Sequence, residues 1–211
     1  MLTQIVRERR LKEKPFSEIE LWNIFSPLSN ALKYLHEMGI IHRDLKLENI
    51  FLTEQGKVKI GDLGMSKVIH NAEELLSQRV GTPIYFAPEI IQNQLYSYPV
   101  DIWALGCVFY YLATLEHPFK EATIETLPYF VIDKDPKPIK GHYGGFMINL
   151  INSLLTKNIK SRPSIFDVNL MIKNRDSPIP SNKVKVFDFK KLIMMKPDLE
   201  KLDEFRKVKH T

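Results

Sequence analysis

The chain has 211 residues, 44% apolar and 26% charged, which suits one globular domain with a sizeable core and excludes disorder throughout. Lys and Arg number 30 against 25 Asp and Glu, a net charge of +5; a solvated surface accounts for this mild excess without a nucleic-acid partner. A single cysteine, Cys107, forbids an internal disulfide and fits a reducing compartment. Its apolar surroundings mark it as a buried, inert thiol.

In chain order, residues 1–10 are polar and charged and contain no apolar signal-peptide core. Ser17 followed by Glu20 predicts a capping box. Leu21, Ile24, Phe25, Leu28, Leu32, Leu35 and Met38 then recur at helical spacing, with one face buried. Gly39 is placed to end that helix in a left-handed conformation, and Pro27 predicts a kink or a distorted turn. Two short apolar segments, 49–52 and 57–60, flank Thr53-Glu54-Gln55-Gly56 and predict a small hairpin. Residues 61–89 hold Gly61, Gly64, Gly81, Pro83 and Pro88 and read as a long loop with brief helical pieces. A loop of that length inside a compact domain is usually functional.

Helical patterns return at 100–115, 144–156 and 164–174, with Pro118, Pro128, Pro136 and Pro138 punctuating the region between the first two. The apolar run 102–115 has 14 residues, too few for a bilayer span of about 20. It reads as a core helix in a soluble, intracellular protein with no membrane partner. Ser177-Pro178-Ile179-Pro180-Ser181-Asn182 reads as a linker. The stretch 183–211 carries nine Lys or Arg against five acidic residues. It is expected to be a basic tail, either a solvated or packed extension or a segment that docks a partner.

The chemistry concentrates in short motifs. His42-Arg43-Asp44-Leu45-Lys46-Leu47-Glu48-Asn49 matches the H-R-D-L-x-x-x-N pattern, and Asp62-Leu63-Gly64 follows 13 residues after Asn49, with Leu in place of Phe in D-F-G. Gly81-Thr82-Pro83 precedes Ala87-Pro88-Glu89. Asp101-Ile102-Trp103-Ala104-Leu105-Gly106 and Ser161-Arg162-Pro163 come later. In this order and spacing the set resembles eukaryotic Ser/Thr protein kinases over roughly residues 1 to 175. Within them, residues 7–17, Ala31-Leu32-Lys33-Tyr34-Leu35-His36, Asn49-Ile50-Phe51-Leu52-Thr53 and Lys59-Ile60-Gly61-Asp62 are similar to the NIMA-related kinases. Leu47-Glu48 and Leu63 depart from the subfamily pattern.

The resemblance implies a mainly α fold, the C-terminal lobe of a kinase. A helical bundle would carry a small β-hairpin with the catalytic loop (42–49) and activation segment (62–89), without the N-lobe sheet. It implies roles that phosphoryl transfer needs on physical grounds, since that chemistry is positioning and charge neutralisation. Asp44 would accept the substrate hydroxyl's proton and orient the oxygen, and Lys46 would meet the moving phosphoryl group of ATP. Asn49 and Asp62 offer the oxygen ligands that Mg2+ prefers. Phe51 would form an apolar platform beneath adenine.

His42 would pack beside Leu63 in an apolar spine, and Glu89 and Arg162 would form a buried ion pair. Asp101 would hold the catalytic loop's backbone. Arg43 would bind a phosphate on the activation segment, with Ser77 the candidate phosphosite, while Thr82 is expected to contact Asp44 and Lys46. Isolated Asp or Asn residues in loops are mostly turn formers; the ordered set reverses that reading here.

The 211 residues contain no G-x-G-x-x-G loop, no V-A-I-K-like strand and no helix with its partner glutamate. The expectation is therefore weak or absent ATP binding by this chain alone, and an apolar upper face that a partner chain would cover. The first functional reading is a Ser/Thr protein kinase acting on protein substrates. The alternative is an inactive kinase-derived scaffold or subunit, a pseudokinase. A cytoplasmic location, with a microtubule or ciliary link, follows by family analogy.

Overall fold

The computed structural model describes residues 2–53, 57–71 and 74–174. Among them the fold is mainly helical: α1 (Leu2–Leu11), α2 (Glu18–Glu37), α3 (Pro88–Ile91), α4 (Pro99–Thr114), α5 (Leu127–Asp133), α6 (Gly145–Leu154) and α7 (Ile165–Lys173). Four short strands, β1 (Ile40–Ile41), β2 (Ile50–Leu52), β3 (Val58–Ile60) and β4 (Lys67–Val68), form two antiparallel pairs, β1 with β4 and β2 with β3. The linker and basic tail expected over 176–211, and the hairpin turn at 54–56, lie outside the described residues.

Helix α4 is the centre of the core. Its residues are apolar almost all round, and 13 are buried, including Trp103, Leu105, Cys107 and Phe109, as expected of a helix surrounded by protein. Helix α2 lies against it: the Phe25 and Phe109 rings meet edge to face at 4.3 Å. Helix α6 approaches so closely that a Cβ on Gly106 would stand 2.9 Å from Leu154 Cβ. Helix α7 covers α2, where Asn169 Nδ2 donates to the Ser29 carbonyl at 3.3 Å.

Helix α2 begins as its sequence dictates. Ser17 Oγ accepts from the Glu20 N–H at 3.4 Å, and Glu20 Oε2 accepts from the Ser17 N–H at 2.8 Å. Glu20 is also bonded by Arg9 of α1. The helix ends at Gly39, φ +71°, a conformation glycine adopts without penalty. The distortion expected at Pro27 does not interrupt the helix, which runs unbroken through it. Proline deletes one donor, and burial of Ile24, Phe25, Leu28 and Leu32 on both sides holds the turn in place.

Two helices were not anticipated. The polar, charged residues 2–11 form α1, because Leu2 and Val6, four apart, are both buried. Helix α5 forms around Pro128 because proline in a first turn loses no helical bond. The predicted hairpin is shorter by a residue, since Asn49 closes a 3-10 turn over Leu47–Asn49 and the strand begins at Ile50. Phe51 and Leu52 of the hairpin, and Leu63 beyond it, are half-buried.

Candidate active site

The catalytic loop is suspended from α4. Asp101, 1% exposed, accepts the backbone N–H of His42 at 2.8 Å and that of Arg43 at 2.9 Å. It also meets His36 Nε2 of α2 at 2.9 Å. Burial would raise the Asp101 carboxyl, but His36 and the catalytic-loop donors outweigh it and hold the group below its ordinary value. His36 thus joins α2, α4 and the loop, a role sequence reasoning missed. The available signal was a polar residue four positions after Leu32, on the buried face of α2.

His42 is fully buried and its Nε2 lies 3.1 Å from the Gly61 carbonyl, while Nδ1 accepts the Asp44 N–H at 3.3 Å. Its ring therefore ties the catalytic loop to the residue before Asp62. Arg43 adopts φ +66°, and its Nε donates to the Met65 carbonyl at 2.5 Å. Its recorded bond is to activation-segment backbone.

Asp44, 8% exposed, sits in a closed polar network. Lys46 Nζ lies 2.8 Å from its Oδ2 and donates to Thr82 Oγ1 at 2.8 Å. An ammonium cannot accept, so the Thr82 hydroxyl must spend its own proton on Asp44 Oδ1, also at 2.8 Å. Asn49 Nδ2 donates to the Asp44 carbonyl at 2.8 Å and to Oδ2 at 3.2 Å. Burial pushes the Asp44 carboxyl up, but the bonds from Lys46, Thr82 and Asn49 prevail and depress it. A carboxylate offers about four lone-pair sites. The three side-chain donors occupy three, leaving one on Oδ1.

The hairpin positions the second acidic group. The Gly61 N–H donates to the Asn49 carbonyl at 2.9 Å, which brings Asp62 one residue from Asn49's backbone. Asp62 is exposed, at φ +57°, and its Oδ1 accepts the Gly64 N–H at 3.2 Å. A non-glycine residue in that region is held there by its surroundings, a common feature of functional sites. With Nδ2 of Asn49 donating to Asp44, its Oδ1 and the Asp62 carboxylate are the oxygens available to a cation. Two oxygens suit a Mg2+ ion that completes its shell with phosphates and water. Among the described residues no cluster of three or more His, Cys, Asp or Glu could hold a metal without such help. Phe51 lies on β2, its ring so close to Gly61 that a Cβ there would stand 2.6 Å away.

Further out, Glu89 and Arg162 pair in bidentate fashion, at 2.7 and 3.0 Å. Arg162 also donates to the carbonyls of Thr156, Pro99 and Lys157, and its guanidinium lies 5.1 Å from the centre of the Trp103 ring. Ser77 is exposed on the activation segment.

A buried carboxylate bonded by lysine, threonine and asparagine, with a second carboxylate just beyond a small hairpin, stands on a lobe built around one buried helix. The sequence matches the family model for the protein kinase domain over residues 1–173, and the chain belongs to that family. It is 41% identical over 167 residues to the probable serine/threonine-protein kinase nek3 of Dictyostelium discoideum, covering 77% of this chain and 15% of that protein. It is 40% identical to mouse serine/threonine-protein kinase Nek4, over 74% of this chain and 20% of that one. Identity to human serine/threonine-protein kinase Nek5 is also 40%, with 71% and 21% covered. The chain thus spans about a fifth or less of the length of these NIMA-related relatives. Among the described residues no helix is long and apolar enough to cross a membrane.

Proposed function

We propose that this lobe transfers the γ-phosphoryl group of Mg-ATP to serine or threonine hydroxyls of protein substrates. The observation that carries the reading is the remaining lone pair on Asp44 Oδ1, in a carboxylate whose other sites are filled by Thr82, Lys46 and Asn49. A substrate hydroxyl that donates there is oriented for in-line attack. The depressed carboxyl stays ionised at neutral pH and receives the proton as the phosphoryl group departs. Lys46 neutralises charge on that group, and Asn49 and Asp62 would hold Mg2+, which would supply charge neutralisation to the nucleotide. Phe51 supports the adenine. His42, Leu63, Asp101, Glu89 and Arg162 support the loops, and Ser77 is the candidate site of regulatory phosphorylation, with Arg43 facing the same segment. Residues 1–175 form the kinase lobe and 176–211 a linker and basic tail. A cytoplasmic site of action, with a cytoskeletal or ciliary association, accords with the NIMA-related likeness.

The test uses protein purified from its own cells, so that natural partners remain bound. Wild-type protein is expected to transfer labelled γ-phosphate to a Ser/Thr protein substrate such as casein. Asp44→Asn should lower transfer by about 10²–10⁴-fold, the usual share of a positioned base. Equal transfer by both forms would overturn the assignment. The scaffold reading predicts no transfer by either form. It also predicts a stable partner chain recovered by pull-down and mass spectrometry.

A further inference from the structure

Downstream of β4 the activation segment is fastened to the strand-like piece that precedes α4. Leu76 and Tyr96 exchange backbone hydrogen bonds, Leu76 N–H to the Tyr96 carbonyl at 2.8 Å and Tyr96 N–H to the Leu76 carbonyl at 2.9 Å. The Tyr96 hydroxyl then donates to the Gln78 carbonyl at 2.6 Å. One residue thereby holds both neighbours of Ser77. Tyr96 is 1% exposed although it lies in a loop, so its ring is fixed by the core and its hydroxyl has a defined place to reach.

The other end of the same stretch is fixed on the catalytic loop. Gly81 has φ +104°, and a Cβ there would stand 2.4 Å from the Arg43 carbonyl oxygen. Thr82 follows, with its hydroxyl on Asp44 and its oxygen under Lys46. Only Arg79 and Val80 separate Gln78 from Gly81, too short a span to absorb a displaced Gln78 without moving Thr82.

We propose that Tyr96 is a positioning residue: it clamps residues 76–78 and, through the short span to Thr82, holds the hydroxyl that orients Asp44. The inference deepens the phosphoryl-transfer reading and rests on it for its meaning, but its structural content can be tested without activity. Tyr96→Phe keeps the buried ring and removes only the bond to Gln78.

In the full chain, amide hydrogen exchange over 77–82 should quicken about fivefold in Tyr96→Phe, the worth of one hydrogen bond, while exchange in α2 and α4 is unchanged. The Thr82 side-chain carbon-13 shifts should move as its bonds to Asp44 and Lys46 loosen. Tyr143→Phe is the control: it removes bonds to the Phe16 and Ala113 carbonyls and should leave both readouts at their wild-type values. Unchanged exchange over 77–82, or faster exchange spread equally through α2 and α4, would overturn the clamp. Faster local exchange with unmoved Thr82 shifts would overturn its link to the site. Loss of the kinase reading through Asp44→Asn would leave these two readouts standing, so the failures are distinguishable.

Discussion

His117 shows what a single buried side chain can do to the stability of this lobe. It is 7% exposed, with the Tyr85 ring edge-on at 5.5 Å. Its Nδ1 accepts the Phe119 N–H at 3.3 Å, and Nε2 has no hydrogen-bond partner in the structure. Burial pushes its pKa down to about 4. The unfolded chain, with an imidazole near about 6.5, binds the proton more readily, so the contribution is full above about pH 6.5 and is lost as pH falls toward 4. Lowering the pH from 7 to 5 should cost about 2 kcal/mol of stability through this residue. Denaturant unfolding of wild type and His117→Gln at the two pH values should show that loss only in the wild type. The depressed carboxyls of Asp44 and Asp101 act in the opposite sense, present above about pH 4 and lost below it, and so leave this window clear. Asp44, Lys46 and Asn49 were legible in the sequence because five consecutive steps of chain contain all three. His36 and His117 were not, since their surroundings are supplied by residues distant in sequence.

At the scale of elements, the tie between α3 and the loop before α7 is the test of how much one ion pair matters. Glu89 is 2% exposed and Arg162 is 5% exposed, and each satisfies the other. Arg162 spends its remaining N–H groups on three carbonyls. Arg162→Ala would strand the Glu89 charge in the core and should destabilise the lobe by about 3–5 kcal/mol, read as a fall in Tm. Replacing Glu89 and Arg162 together by apolar residues should cost less than Arg162→Ala alone. The ends of α2 could be read from Ser17, Glu20 and Gly39, because caps are local chemistry. The persistence of α2 through Pro27 could not, since packing on α4 and α7 outweighs the local cost. Helix α1 escaped the polar reading of residues 1–10 for a related reason: two buried positions, Leu2 and Val6, suffice once a partner surface exists.

At the scale of the molecule, the proposed function gives a nucleotide only a floor: Phe51 on the hairpin, with Asn49 and Asp62. Pockets bind tightly by burying most of a ligand, and the 211 residues contain neither a glycine-rich loop nor a strand lysine to close over ATP. Titration of the isolated chain with Mg-ATP in a calorimeter should give no saturable heat at micromolar concentrations; a micromolar Kd would show that the lobe closes its own cleft. Residue order was enough to place the chain among protein kinases and to name Asp44, Lys46, Asn49 and Asp62, because the spacing of these groups is constrained by one chemistry. It also marked the 102–115 run as a core helix, since an apolar helix must be surrounded. The His36 contact with Asp101 and the Tyr96 bond to Gln78 became visible only in the folded chain. Each joins groups at least 18 residues apart, and such contacts depend on how helices pack, which no local pattern of residues encodes.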